Sequence, residues 1–198
     1  MKKYFLTIIG LIVLLGVGFY ALNSYMYSEK QNDTEGQKFS TYVSEVYGFS
    51  FQYRAGGDGY VREEVVPSLQ EDQDLQHIVV LMLKSDYNTL QEEARDITRE
   101  GPPTLNIAIY NNPQNTPVDE WVDAHPNAVN RDLVLGTITE DIVAGEQALR
   151  MKTDGLYVTN VALVSHRGYI YLFTGGFIDE NSPQVRDFEY LLSSVTWE

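Results

Sequence analysis

The clearest hydrophobic pattern in the chain begins at Tyr47, after a long polar stretch. From Phe49 to Tyr53 an aromatic residue occupies every second position, and the residues between are polar. Successive side chains of a β-strand point to opposite faces of a sheet, so this alternation predicts a half-buried strand with its rings toward a core. We therefore expect the folded domain to begin at residue 47 and to extend to residue 198.

The rest of the pattern predicts a strand-rich domain with a few helices. Apolar residues at helical spacing predict helices that begin near Asp86, at Thr116-Pro117 and at Ser182-Pro183. Asp154-Gly155 and Arg167-Gly168 are typical of tight hairpin turns. This order predicts an α+β domain, in which an antiparallel β-sheet is covered by helices. The predicted strands after the first are 60–66, 77–83, 105–109, 136–143, 146–152, 156–165 and 169–174.

The N-terminus has the character of a membrane anchor. Residues 4–22 carry no charge, and a helix of this length spans about 28 Å, close to the ~30 Å hydrocarbon core of a bilayer. A cleaved signal peptide is the alternative, but residues 19–24 lack the small-x-small cleavage pattern. Lys2 and Lys3 precede the apolar run, which places the N-terminus in the cytoplasm and the domain outside.

These features predict a single-pass protein of a bacterial cell membrane with an uncleaved signal-anchor. Residues 1–3 form a cytoplasmic stub, residues 4–22 the transmembrane helix and residues 23–46 a polar linker. The end of the linker could dock on the domain as a short helix or an edge strand. Residues 47–198 form the extracytoplasmic domain.

Charge and cysteine content exclude several classes of function. The chain has a net charge of −14, and its first 30 residues carry +2, so the remainder carries −16. An acidic domain repels phosphate groups and lacks the basic surface that nucleic-acid binding needs, so we expect no nucleic-acid partner. The absence of cysteine excludes disulfides, thiol catalysis and zinc–thiolate sites.

The candidate catalytic and metal-binding residues are few. His77, His125 and His166 are the only histidines, and the neighbours Ser165 and His166 project their side chains in different directions at the end of a strand. We therefore predict no catalytic residues and no cofactor.

Acidic residues occur in two groups that invite comparison with metal sites. Glu71, Asp72 and Asp74 lack the spacing of an EF-hand loop. Asp119 and Asp123, with His125 after them, could bind a cation on a helix face, but the helix dipole favours acids near a helix N-terminus without any ion. We predict no metal site.

Tyrosines on the late strands have two interpretations. Tyr157, Tyr169 and Tyr171 could line a ligand groove or an interface, and aromatic strand residues also serve core and cross-strand packing.

Six segments follow one another in a recognisable order: Tyr47 to Tyr53, Leu105 to Tyr110, Val118 to Trp121, Ala144 to Ala148, Gly168 to Leu172, and Phe188 with Leu191 to Val195. In this order they resemble the PsbP-like family, which shares its fold with the Ran-binding nuclear transport factors. The resemblance covers residues 47–198 and implies an antiparallel sheet sandwiched by helices, an α/β/α sandwich, in a non-catalytic binding or assembly module. Arg54 departs from the family, which usually has a proline there followed by a tryptophan.

Three functions remain open from the sequence. The first is a membrane-anchored, non-catalytic accessory domain that binds a protein partner or a component of the cell envelope. The second is a hydrolase of envelope polymers, with a carboxylate pair that the fold brings together. The third is an ectodomain that senses a ligand or an ion.

Overall fold

The computed structural model describes residues 39–67, 74–93 and 100–198. Every strand pair in these ranges is antiparallel. The strands are β1 Phe39–Ser44, β2 Phe49–Arg54, β3 Tyr60–Val65, β4 Leu75–Leu83, β5 Leu105–Asn111, β6 Val134–Val143, β7 Glu146–Thr153, β8 Val158–His166, β9 Tyr169–Phe177 and β10 Thr196–Trp197. The helices are α1 Lys84–Glu93, α2 Val118–Ala124 and α3 Pro183–Ser193, with a 3₁₀ turn at Arg131–Leu133.

A seven-stranded sheet with β9 at its centre organises the domain. Its strand order is β3-β4-β5-β9-β8-β7-β6. Alternation along the central strands sends side chains to two separate cores: Tyr171 and Phe173 of β9 lie in the first, and Ile170 and Leu172 lie in the second. A strand that is buried on both faces in this way needs a covering layer on each side of the sheet.

The first core is covered by a small second sheet together with α3. The small sheet has the order β1-β2-β10. Phe49 and Phe51 of β2 are fully buried against Tyr171, which confirms that the aromatic stripe of the opening strand faces a core. Gly175 of β9 leaves the space that Phe188 of α3 occupies, because a Cβ at Gly175 would lie 2.8 Å from that ring.

The second core lies under α2 on the opposite face. Trp121 and Val122 of α2 are buried against Tyr110, Ile170 and Leu172 of the sheet. The α+β class is thus confirmed, but the covering layers differ from the predicted α/β/α sandwich. Strands as well as a helix cover the first face, because the chain before Tyr47 and the chain after α3 both pair with β2.

The described fold begins before the predicted boundary at residue 47. β1 pairs with β2 along its whole length, from Phe39 opposite Arg54 to Ser44 opposite Phe49. The end of the predicted linker 23–46 is therefore an edge strand, one of the two outcomes that the sequence left open. The predicted anchor at residues 4–22 lies outside the described residues, and within those residues no helix is long and apolar enough to cross a membrane.

Two helix starts differ from their predictions. α1 begins at Lys84, so Asp86 lies inside the first turn and does not cap it. Thr116 makes no side-chain cap at α2, whose N-cap is Pro117. Asn112 holds Thr116 instead: its side-chain amide donates to the Thr116 carbonyl at 3.0 Å and accepts from the Thr116 N–H at 2.9 Å.

One of the two predicted hairpin turns is confirmed, and the other is longer than predicted. Arg167 and Gly168 both have positive φ and join His166 to its partner Tyr169 in a two-residue hairpin, as predicted. Asp154-Gly155 instead begins a four-residue connection, because β7 ends at Thr153 and β8 begins at Val158.

Arg54, where the PsbP-like pattern has proline, ties the small sheet to α3. Its guanidinium donates to Asp187 through Nε at 3.2 Å and Nη2 at 3.0 Å, and through Nη1 to Asp58 at 2.8 Å. The Tyr60 hydroxyl also donates to Asp187, at 3.0 Å. The side chains of Arg54 and Asp187 are only 12% and 10% exposed, so each charge depends on the other for compensation.

We expect Arg54→Leu to lower the free energy of unfolding by about 3 kcal/mol, because it leaves the Asp187 carboxylate buried without its cation. Arg186→Gln is the matched control: Arg186 lies 3.7 Å from the same carboxylate, but its side chain is 80% exposed. We expect this control to cost under about 0.5 kcal/mol. Urea denaturation of the full chain measures both, and equal losses would contradict the structural role of Arg54.

Candidate binding surface

The three histidines that could have served catalysis are held by partners within the fold. His77 on β4 donates through Nε2 to Glu64 at 2.9 Å, and the Tyr42 hydroxyl donates to the same carboxylate oxygen at 3.3 Å. The Tyr47 ring stacks on the His77 ring at 5.5 Å. This group joins the small sheet to the seven-stranded sheet, so it has a structural use.

His166 also has structural partners, at the end of β8. His166 bonds through Nδ1 to Glu146 at 2.9 Å, and its ring stacks on Trp197 at 4.6 Å. Its neighbour Ser165 instead accepts a bond from the Asn112 amide, at 3.2 Å. The two side chains therefore have different partners, and their adjacency in sequence creates no nucleophile–base pair.

The acidic residues that the structure describes are not grouped as a metal site. Asp123 pairs with Arg131 at 3.5 Å, while His125 donates through Nδ1 to the Trp121 carbonyl at 2.9 Å. Asp74 lies 4.0 Å from His125 Nε2. Glu71 and Asp72 lie outside the described residues, and among those described no three His, Cys, Asp or Glu side chains are grouped closely enough to hold a metal ion.

The three tyrosines serve packing, one of the two uses that the sequence left open. Tyr171 is fully buried and donates its hydroxyl to the Tyr47 carbonyl at 2.5 Å. Tyr169 packs edge-on against both of those rings. Tyr157 donates to the Gly101 carbonyl at 2.9 Å. The contacts of Tyr169 and Tyr171 therefore agree with core and cross-strand packing.

An open groove lies on the part of the sheet that α3 leaves uncovered. It has a volume of about 360 Å³. Arg150 and Lys152 of β7 form its floor, and each is paired with an acid outside the strand, Arg150 with Glu189 of α3 and Lys152 with Glu180. The remaining lining residues are Leu135, Thr137, Thr139, Glu140, Asp141, Met151 and Asn160.

Three exposed aliphatic side chains lie at the end of the sheet where β6 begins and β9 stops. Leu133, Leu156 and Ile178 are 44%, 53% and 74% exposed, and we call them the apolar end. The register places them together: Val134, Thr153, Thr159 and Gly176 form one row across the four strands, and the three aliphatic residues lie just beyond it. At ~4.8 Å per strand the row is about 14 Å wide.

The apolar end adjoins the groove. Leu135 and Lys152, which line the groove, are paired next to the row that carries the apolar end. Single exposed aliphatic residues are common on soluble proteins, whereas several at one place mark an interaction site. No local pattern in the sequence indicates this surface, because its three aliphatic residues are separated by more than 20 residues and only strand register brings them to one end of the sheet.

The hydrolase alternative requires two acids in a cleft with displaced pKa values. Hydrogen bonding from His77 lowers the pKa of Glu64, and the Arg62 charge adds to the shift while partial burial opposes it. A general acid needs a raised pKa, so this shift has the wrong direction. The acids that line the groove, Glu140 and Asp141, are neighbours on one exposed strand.

The lowered pKa of Glu64 means that its ionised form stabilises the fold. The direction of the shift decides the pH range in which this contribution is present. This contribution is present above the unfolded pKa of about 4.3 and is lost as the pH falls through the lower folded value. We expect Glu64→Gln to lower stability at pH 7 and the difference from wild type to shrink in acid. Glu63→Gln is the control, because Glu63 points to the other face of β3. Urea denaturation across this range tests it, and a difference that grows in acid would contradict it.

The fold can now be compared with known proteins. No family model matches the chain, and no curated protein matches it. The solution structure of cyanobacterial PsbP (CyanoP) from Synechocystis sp. PCC 6803 is similar, with a TM-score of 0.53 and 13% sequence identity, over 87% of this chain and 99% of that chain. This structural similarity confirms that the chain adopts the PsbP-like fold that the sequence resemblance implied.

Proposed function

We propose that this chain is a non-catalytic accessory domain that binds a protein partner at its apolar end. The observation that carries the proposal is that the exposed residues Leu133, Leu156 and Ile178 lie at one end of the sheet, beside an open groove. Burial of the parts of these side chains that are still exposed favours association, by less than the ~1.5–3 kcal/mol that full burial of each would give. The non-catalytic role agrees with the resemblance to PsbP-like domains and with the structural use of all three histidines.

The proposal includes a tether. Residues 4–22 form a single membrane-spanning helix with the N-terminus in the cytoplasm, and the domain lies on the outer side of the cell membrane. The support is the uncharged run of 19 residues behind Lys2 and Lys3. A tether confines the domain near the membrane and raises its effective concentration for a membrane-bound partner, so a modest interface is sufficient.

Site-specific photo-cross-linking tests the binding surface. A benzophenone amino acid replaces Ile178 in the full chain within native membranes, and we expect a discrete cross-linked protein species. The matched control replaces Ile142, which is also an isoleucine and is 61% exposed, but lies at the far end of β6. Equal cross-linking from both positions, or none from Ile178, would refute binding at the apolar end.

Membrane fractionation tests the tether. We expect the full chain to remain in the membrane pellet after alkaline carbonate extraction and a chain without residues 1–22 to be soluble, because only residues 4–22 are apolar enough to span a bilayer. Replacement of residues 4–22 by a leucine-alanine segment of equal length should restore pelleting. Mass spectrometry of the membrane form checks cleavage, and a mature N-terminus beyond residue 22 would contradict the anchor.

A further inference from the structure

The apolar end has a rim of negative charge. Asp132 precedes Leu133, and Asp179 and Glu180 follow Ile178 directly. Asp154 lies beside Leu133, since its backbone N–H donates to the Leu133 carbonyl at 2.8 Å. All four acids are exposed.

The basic side chains near this rim are already paired with acids. Lys152 Nζ bonds Glu180 at 2.8 Å, and Arg131 lies 3.5 Å from Asp123. Asp132, Asp154 and Asp179 therefore outnumber the basic groups around the aliphatic side chains. An apolar centre within a charged rim has the anatomy of a protein–protein interface.

Charge decides between the classes of occupant. Nucleic acid and anionic lipid headgroups are repelled by the same acids that surround the aliphatic residues. A second copy of the chain, related by two-fold symmetry, would bring its own acidic rim against this one, and like charges at an interface cost free energy. A basic protein surface meets no such penalty.

We propose that the apolar end binds a protein segment in which aliphatic side chains alternate with lysine or arginine. This inference rests on the proposed function and names the chemistry of the partner at the same surface. The aliphatic side chains of the segment contact Leu133, Leu156 and Ile178, and its cations lie over Asp154 and Asp179. The rim charges accelerate encounter and select against acidic competitors, while the apolar contacts slow dissociation.

Fluorescence anisotropy with a defined probe tests this chemistry. The probe is a fluorescein-labelled peptide of alternating lysine and leucine, and its counterpart has glutamate for lysine. The full chain is held in a non-ionic detergent. We expect the lysine peptide to bind, the glutamate peptide not to bind, and binding to weaken several-fold between about 50 mM and about 500 mM NaCl.

Matched variants locate the binding. We expect Ile178→Ser and Asp179→Lys each to weaken binding of the lysine peptide about tenfold. Ile142→Ser removes an equally exposed isoleucine elsewhere, and Glu45→Lys makes the same change of charge on another surface. We expect both controls to change affinity less than about twofold. All four residues are exposed, and an unchanged urea midpoint verifies the fold of each variant.

Several outcomes would overturn the inference. Equal weakening by all four variants would mean non-specific attraction to an acidic protein. Binding of the glutamate peptide, or absence of binding by the lysine peptide, would exclude a basic partner. Self-association of the chain that Ile178→Ser abolishes would identify a second copy as the occupant. If one of these outcomes occurs while cross-linking from Ile178 stays specific, the proposed function stands and only the chemistry of the partner is wrong. If the cross-linking from Ile178 is lost, the proposed function itself is refuted.

Discussion

Burial of β9 on both faces is the constraint on which the rest of the structure depends. As the central strand of seven, it sends Tyr171 and Phe173 into one core and Ile170 and Leu172 into the other. Two covering layers must therefore exist, and they come from different parts of the chain. The small sheet and α3 cover one face, and α2 covers the other. Gly175 sets how closely α3 approaches, because Phe188 fills the space that a side chain there would take.

The position of α3 in turn determines which surface stays open. α3 leaves β9 and returns across the first face, where Arg54 holds it through Asp187. β6 and β7 lie toward the edge of the sheet, where the open groove forms. The loop ends beyond these strands carry the aliphatic residues that the cores do not use. The open surface and the core are thus two consequences of one packing arrangement.

Two histidines, a residue type that often serves catalysis, have structural roles in this fold. His77 with Glu64 and Tyr42 joins two sheets, and His166 with Glu146 and Trp197 joins the hairpin after β8 to the C-terminal strand. These contacts hold the two sheets together and fix the C-terminal strand.

The sequence by itself determined the alternation of the opening strand, the inward direction of Phe49 and Phe51, the Arg167-Gly168 turn and the α+β class, because side-chain alternation and backbone sterics are local properties. Only the tertiary structure decided that residues 39–44 form a strand, that Arg54 meets Asp187, and that Leu133, Leu156 and Ile178 share one end of the sheet. Each of these depends on pairing between segments far apart in the chain, and strand register carries no signal in local composition.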